Sequence, residues 1–178
     1  SNIIWADYQS PVRKNIIVLG TESDSNINHS SQQSNLISKG LTLAFKNILT
    51  LSNNFRSTPV ILSSKLSAHD IKQANIIYIG HFEKMGMLQN YFKGSQYHFN
   101  VQKNQLQEKS TERVFASPTD INAQYIDYGL FAKVDGPRNN KIYIVSGFTD
   151  SALLWLSWFL TSTDQQSINT LLQSAENQ

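Results

Sequence analysis

Asn15-Ile16-Ile17-Val18-Leu19-Gly20 and Asn75-Ile76-Ile77-Tyr78-Ile79-Gly80 repeat one device, a short apolar run closed by a glycine. A third run, Lys141-Ile142-Tyr143-Ile144-Val145, reaches Gly147 after Ser146. Residues that are apolar on successive positions rather than alternate ones suit strands buried on both faces, the condition of a parallel strand inside an α/β sheet. Between the first two runs, Leu36, Ile37, Leu41, Ala44, Phe45, Ile48 and Leu49 recur at three- and four-residue spacing. That period predicts an amphipathic helix, in which Gly40 is tolerated for close packing against the sheet.

The same reading extends along the chain. Thr58-Pro59-Val60-Ile61-Leu62 is a second strand. Ser67 with Asp70 three residues on predicts the start of a short helix ending near Ala74. Met87, Leu88, Tyr91 and Phe92 mark a helix with Gly94 just past its end. From Tyr97 the period changes to two, as Phe99 and Val101 alternate with His98, Asn100 and Gln102. Residues 102–120 read as a hairpin plus loop and residues 125–134 as a strand. Asp135-Gly136-Pro137-Arg138-Asn139-Asn140 reverses the chain. Ser151 opens a helix running to Thr161, preceded by Asp150 as part of its cap, and a helical tail is expected from Gln165. The order β-α-β-α-β-α-β-β-β-α predicts one α/β domain over residues 1–178. It is a three-layer sandwich of flavodoxin- or Rossmann-like kind, its mixed sheet joining parallel N-terminal βα units to a C-terminal antiparallel hairpin.

Composition bounds the function. The 178 residues carry 15 Lys plus Arg against 13 Asp plus Glu, a net charge of +2, with no cluster of basic residues larger than Arg13-Lys14. Nucleic-acid binding by this domain is not expected, because that needs positive charge gathered on one face. The absence of cysteine excludes thiolate chemistry, disulfides and cysteine-held zinc. No apolar run reaches membrane-spanning length, since Ser157 interrupts the longest. The opening Ser1-Asn2 resembles a tag-cleavage remnant, so the chain reads as a piece excised from a larger protein, with the extracytoplasmic side of a membrane the favoured compartment.

Open α/β sheets bind ligands beyond the carboxyl ends of their strands. The expected crevice therefore draws on residues 21–35, Ser63-Ser64-Lys65, His81-Phe82-Glu83-Lys84 and Phe148-Thr149-Asp150-Ser151. Its candidate ligand-binding residues are Thr21, Ser23, Ser64, His81, Glu83, Thr149 and Asp150. Gly20-Thr21-Glu22-Ser23-Asp24-Ser25 has neither a dinucleotide fingerprint nor a P-loop ending, so a phosphate would be held by hydroxyls alone. Convergence of His81, Glu83 and Asp150 in a deep pocket would point to chemistry. His29, His69 and His98 show no metal spacing, Ser146 lacks the flanks of a nucleophile elbow, and Asp127 reads as an exposed or hydrogen-bonded strand residue. No cofactor and no metal is expected. The helix bearing Trp155, Trp158 and Phe159 is apolar around more than one stripe, so Trp155 or Trp158 is expected to form an interaction patch, with Trp5 and Tyr8 candidates to cover it.

Residues 67–82 (Ser67-Ala68-His69-Asp70-Ile71-Lys72-Gln73-Ala74 into Asn75-Ile76-Ile77-Tyr78-Ile79-Gly80-His81-Phe82) and Tyr97-His98-Phe99 resemble a pattern in uncharacterised bacterial proteins. There an acidic helix leads into a glycine-ended "vlIGaf" strand. Asp127-Tyr128-Gly129-Leu130-Phe131 and Ile142-Tyr143-Ile144-Val145-Ser146-Gly147 resemble that group's "DYalvs…vlvlaG" ending, with Phe159-Leu160 beyond. The likeness spans about residues 58–162 and departs at Glu83-Lys84, where the group carries two asparagines. It implies the C-terminal domain of a membrane-anchored, winged-helix-type regulator and carries over no catalytic residue. The expected function is non-catalytic sensing or protein interaction, with a small molecule, a protein or a second copy as partner. The alternative is a flavodoxin-like enzyme or binding protein for a small phosphorylated or nucleotide ligand.

Overall fold

A computed structural model describes residues 5–9, 12–21, 37–117, 126–162 and 170. In chain order the elements are α1 (Ala6–Gln9), β1 (Lys14–Leu19), α2 (Lys39–Leu49), α3 (Asn53–Arg56), β2 (Val60–Leu62), α4 (Ala68–Gln73), β3 (Ala74–His81) and α5 (Gln89–Phe92). Then follow β4 (Tyr97–Asn100), β5 (Gln105–Glu108), β6 (Val114–Ala116), β7 (Gly129–Asp135), β8 (Lys141–Gly147) and α6 (Asp150–Thr161). The main sheet has the order β2-β1-β3-β8-β7, parallel except for β7, which returns antiparallel along β8. The expected mixed-sheet α/β fold is present.

Double-sided burial of the central strands is what their apolar runs demanded. Ile16, Val18, Ile76, Tyr78, Ile142 and Ile144 face one core, and Ile17, Leu19, Ile77, Ile79, Tyr143 and Val145 the other. The second core is roofed by α2 and α6, with Trp5, Tyr8 and Phe55 from α3 and the N-terminal segment. Trp5 stacks at 5.2 Å from Tyr143, and Tyr8 meets Phe55 edge-on at 5.0 Å. Trp5 and Tyr8 are thus core residues packed in the same cluster as Leu153 and Leu160 of α6, and they leave Trp155 and Trp158 uncovered. The first core is closed by α4, by two 3-10 turns (Phe82–Lys84 and Gly86–Leu88), by α5, and by a separate antiparallel sheet, β4-β5-β6.

The alternating strand from Tyr97 and the hairpin after it form this small sheet and do not join the main one. Phe99 and Leu106, both buried, point from it onto the main sheet, so the hairpin acts as a covering layer. Other boundaries shift for local reasons. β2 keeps only Val60–Leu62, because Thr58 bonds back to Asn54. β3 continues through Gly80 to His81, since both residues still register against Ser146 and Gly147. The expected helix through Met87 and Phe92 is a 3-10 turn followed by one α turn, and Gly94 lies outside the left-handed region. The strand read over 125–134 begins at Gly129, after Asp127 has turned its carboxylate onto the Tyr128 amide. The chain reversal after β7 is as expected, with Asn139 left-handed (φ 56°) and the Gly136 amide bonded to the Asn140 carbonyl at 2.7 Å. The side chain of Asn140 is fully buried and donates to the carbonyls of Ile71 and Ala74, which pins the turn to α4. The tail from Gln165 lies, apart from Thr170, outside the described residues.

Candidate functional site

β1 connects to β2 on one side and lies beside β3 on the other, so the strand order reverses between β1 and β3. Their carboxyl ends are where this fold class opens its crevice. Here Gly20 and Gly80 face each other across the two strands, and a Cβ on Gly80 would lie 2.8 Å from Gly20 Cα and 2.6 Å from the Tyr78 hydroxyl. The glycines therefore make room for a tyrosine rather than for a ligand. Tyr78 Oη donates to the carbonyl of His81 at 2.6 Å. Burial, and then the Glu83 carboxylate, push this hydroxyl far above the ordinary tyrosine value, so it stays a neutral donor.

Two helix N-termini meet at the same end of the sheet. The Gly40–Asp150 and Asn47–Ser157 bonds both link residues 110 apart, so α2 and α6 run parallel and in step. Ser38 caps α2, accepting from the Leu41 amide, and Thr149 caps α6, accepting from the amides of Ser151 and Ala152. Thr149 is the N-cap, and Asp150 is the first helical residue rather than part of a cap pair. From there Asp150 reaches across to α2, where Oδ2 accepts from the Gly40 amide at 3.0 Å and Oδ1 from the Ser38 hydroxyl at 2.6 Å. Gly40 is required for this contact, since a Cβ there would lie 2.4 Å from Asp150 Cβ. Its tight packing is against α6, not the sheet.

The seven candidate ligand residues divide accordingly. Thr21 is buried, its amide bonded to Ser63 Oγ at 2.9 Å and its hydroxyl 3.2 Å from Ser64 Oγ. This hydroxyl knot ties the end of β1 to the turn after β2. His81 lies with Nε2 3.0 Å from Asp150 Oδ1. Partial burial works to raise the Asp150 carboxyl, but the Ser38 hydroxyl, the Gly40 amide and His81 outweigh it and hold the group below the ordinary aspartate value. Glu83 pairs with its neighbour Lys84 at 3.3 Å. Thr149 donates to Asp127 as well as capping α6. Ser23 lies outside the described residues, as does His29. Ser146 is fully buried and donates to the Gly80 carbonyl, a structural role.

His81 and Asp150 thus converge, but Glu83 does not join them. In a nucleophilic triad the serine bonds the imidazole, whereas Ser38 donates to the carboxylate and gains no base. Among the described residues no three His, Asp or Glu gather as a metal site. Sequence reasoning missed Ser38 and Tyr78 as partners here. The Ser38-Lys39 step ahead of the helix was a readable cap signal for the first, but nothing local marks the second.

Trp155 and Trp158, singled out in the sequence, stand at the surface of α6 with Phe159 beside them. Trp155, Trp158 and Phe159 are 67%, 57% and 40% exposed, and the two indoles meet edge-on at 5.6 Å. The opposite side of α6, Ala152, Leu153, Ser157 and Leu160, is buried. No protein-family model, curated protein or solved structure matches this chain.

Proposed function

We propose that this domain is non-catalytic and works by docking: it is the sensing or interaction part of a bacterial regulator and presents the aromatic flank of α6 to a partner. One observation carries the reading. Among the described residues the polar groups at the strand ends bond one another, whereas two tryptophans and a phenylalanine stand in solvent. The α2 amide that a phosphate would seek is taken by Asp150, and the negative charge there opposes a second anion. The assignment to a regulator is supported by the sequence resemblance over about residues 58–162, which also implies a membrane tether and winged helix outside the given residues. No described helix is long and apolar enough to cross a membrane.

The second reading, a flavodoxin-like enzyme or binding protein for a phosphorylated or nucleotide ligand, rests on the His81–Asp150 pair. Thermal unfolding with and without FMN, ATP and inorganic phosphate separates the two, because a ligand of the native state raises the melting temperature by mass action. Docking predicts an unchanged midpoint with all three. A rise of several degrees that Asp150→Ala or His81→Ala removes would transfer the assignment to the second reading.

A further inference from the structure

Cations scattered through the sequence are gathered by the fold at the end of the main sheet where its strands begin. We infer that this end is a cationic surface that rests on the anionic headgroups of a lipid bilayer. Unlike the aromatic flank of α6 it is marked by charge, and the two contacts stand or fall separately.

Lys14 opens β1 and Lys141 opens β8, on either side of β3. The registers Lys14↔Ala74 and Ile76↔Ile142 set the three starts level, about 10 Å across at the usual strand spacing. Asn75 fastens them, donating to Asn15 Oδ1 at 3.3 Å and accepting from the Lys141 amide at 2.9 Å. Arg13 donates to the carbonyl of Arg138, 125 residues away in the chain, at 2.6 Å, which brings the turn after β7 to the start of β1. The Asn140 side chain bonds Ile71 and Ala74 and holds the same turn against the last residues of α4, where Lys72 lies. Arg13, Lys14, Lys72, Arg138 and Lys141 thus share one end of the molecule.

Few of these charges are cancelled. Asp135 pairs with Lys141. Among the described residues no carboxylate pairs with Arg13, Lys14, Lys72 or Arg138, and the last three are exposed or, for Arg13, half-buried. Asp70 stands two residues before Lys72, on the other side of α4, and accepts from the Ser67 amide and hydroxyl. The Tyr8 carbonyl of α1 accepts from Asn15, so Asp7 belongs to this end and offsets one charge. About three positive charges remain uncompensated.

A bilayer fits this pattern better than nucleic acid does. Nucleic-acid sites commonly neutralise about six to ten phosphates along a groove or strand, about twice what this end offers. Headgroups form a plane and need no track of charge. Each lysine or arginine near an anionic leaflet strengthens attachment about fivefold, so three give about a hundredfold preference over a neutral bilayer. Val12, 85% exposed beside Arg13, sets an aliphatic side chain among the cations. The boundary between headgroups and acyl chains accommodates that pairing, and a phosphodiester backbone does not.

Co-sedimentation with vesicles tests this, comparing phosphatidylcholine alone with phosphatidylcholine containing about a third phosphatidylserine, in about 50 mM salt. Binding about a hundredfold tighter to the anionic vesicles is expected, and it should vanish near 0.5 M salt, roughly, as screening shortens the reach of each charge. Lys72→Glu/Arg138→Glu should weaken it at least about tenfold, and the milder Lys14→Gln about fivefold. Lys93→Glu/Lys103→Glu makes the same change of charge on exposed residues beside the small sheet, whose Phe99 stacks on Phe82 past the opposite end of β3. That pair should leave binding within about threefold, and unchanged melting temperatures show that the folds survive. Equal binding to the two kinds of vesicle, an equal loss in the two charge-reversed pairs, or tighter binding to DNA than to the anionic vesicles at the same salt overturns the inference.

Discussion

The carboxyl ends of the parallel strands and the outer flank of α6 are built from the same helix, yet they are finished in opposite ways. At its first residue α6 is bound into the fold: Asp150 neutralises the positive end of α2, and Thr149 closes its own helix. A turn or two later the same helix leaves Trp155, Trp158 and Phe159 without cover. The first region has spent its polar groups on each other, and the second has apolar area to spare. A fold position that usually binds ligands is therefore a poor guide to function when the protein's own side chains fill it, and the unfilled surface is the better one.

The largest expected effect comes from forcing the closed end open. Gly80→Val places branched carbons against Tyr78 and the Gly20 backbone and should cost about 3 kcal/mol, a fall in melting temperature of roughly 6–12 °C at this size. An unchanged midpoint would mean that the crevice has room after all. Gly40→Ala sharpens the contrast further. Helix propensity alone would gain up to about 1 kcal/mol, but the Cβ collides with Asp150, so a net loss of about 1–2 kcal/mol is expected in thermal or urea unfolding.

Asp150→Asn removes the charge that holds α2, α6 and His81 together. With the side chain 41% exposed, solvent screens part of each bond, and the expected loss is about 1 kcal/mol at pH 7. Its pH dependence has a definite sign. The folded Asp150 carboxyl lies below the ordinary value of about 3.9, so its stabilisation is present above that pH and disappears as pH falls through the folded value. Urea unfolding between pH 3 and 6 should show a steeper loss in the native chain than in Asp150→Asn, which keeps the contribution of the same sign from Asp70, held low by Ser67. The smallest effect belongs to the other region: Trp155→Ser/Trp158→Ser should change stability by less than about 0.5 kcal/mol, since both indoles are exposed and their ring contact is with each other. A larger loss would show that the tryptophans are covered in solution.

Much of this layout was legible in the chain itself. Continuous apolar runs such as Ile16-Ile17-Val18-Leu19 can satisfy burial on both faces only as interior strands, so the layered α/β class followed from them. The Ser67/Asp70 signal gave a capping box, and the surplus of aromatic residues in α6 exceeded what one buried stripe can hold. These are local properties, set by side-chain type at fixed spacing.

Distance in sequence hid the rest. Nothing near Gly40 announces Asp150, nothing near Gly20 announces Tyr78, and the alternation of Tyr97-His98-Phe99 does not say which sheet the strand will join. Sequence determined which residues must leave water and which elements they form. Only the tertiary structure decided which of them meet: packing α2 beside α6 turned part of the expected strand-end crevice into an internal contact and left the tryptophans facing out.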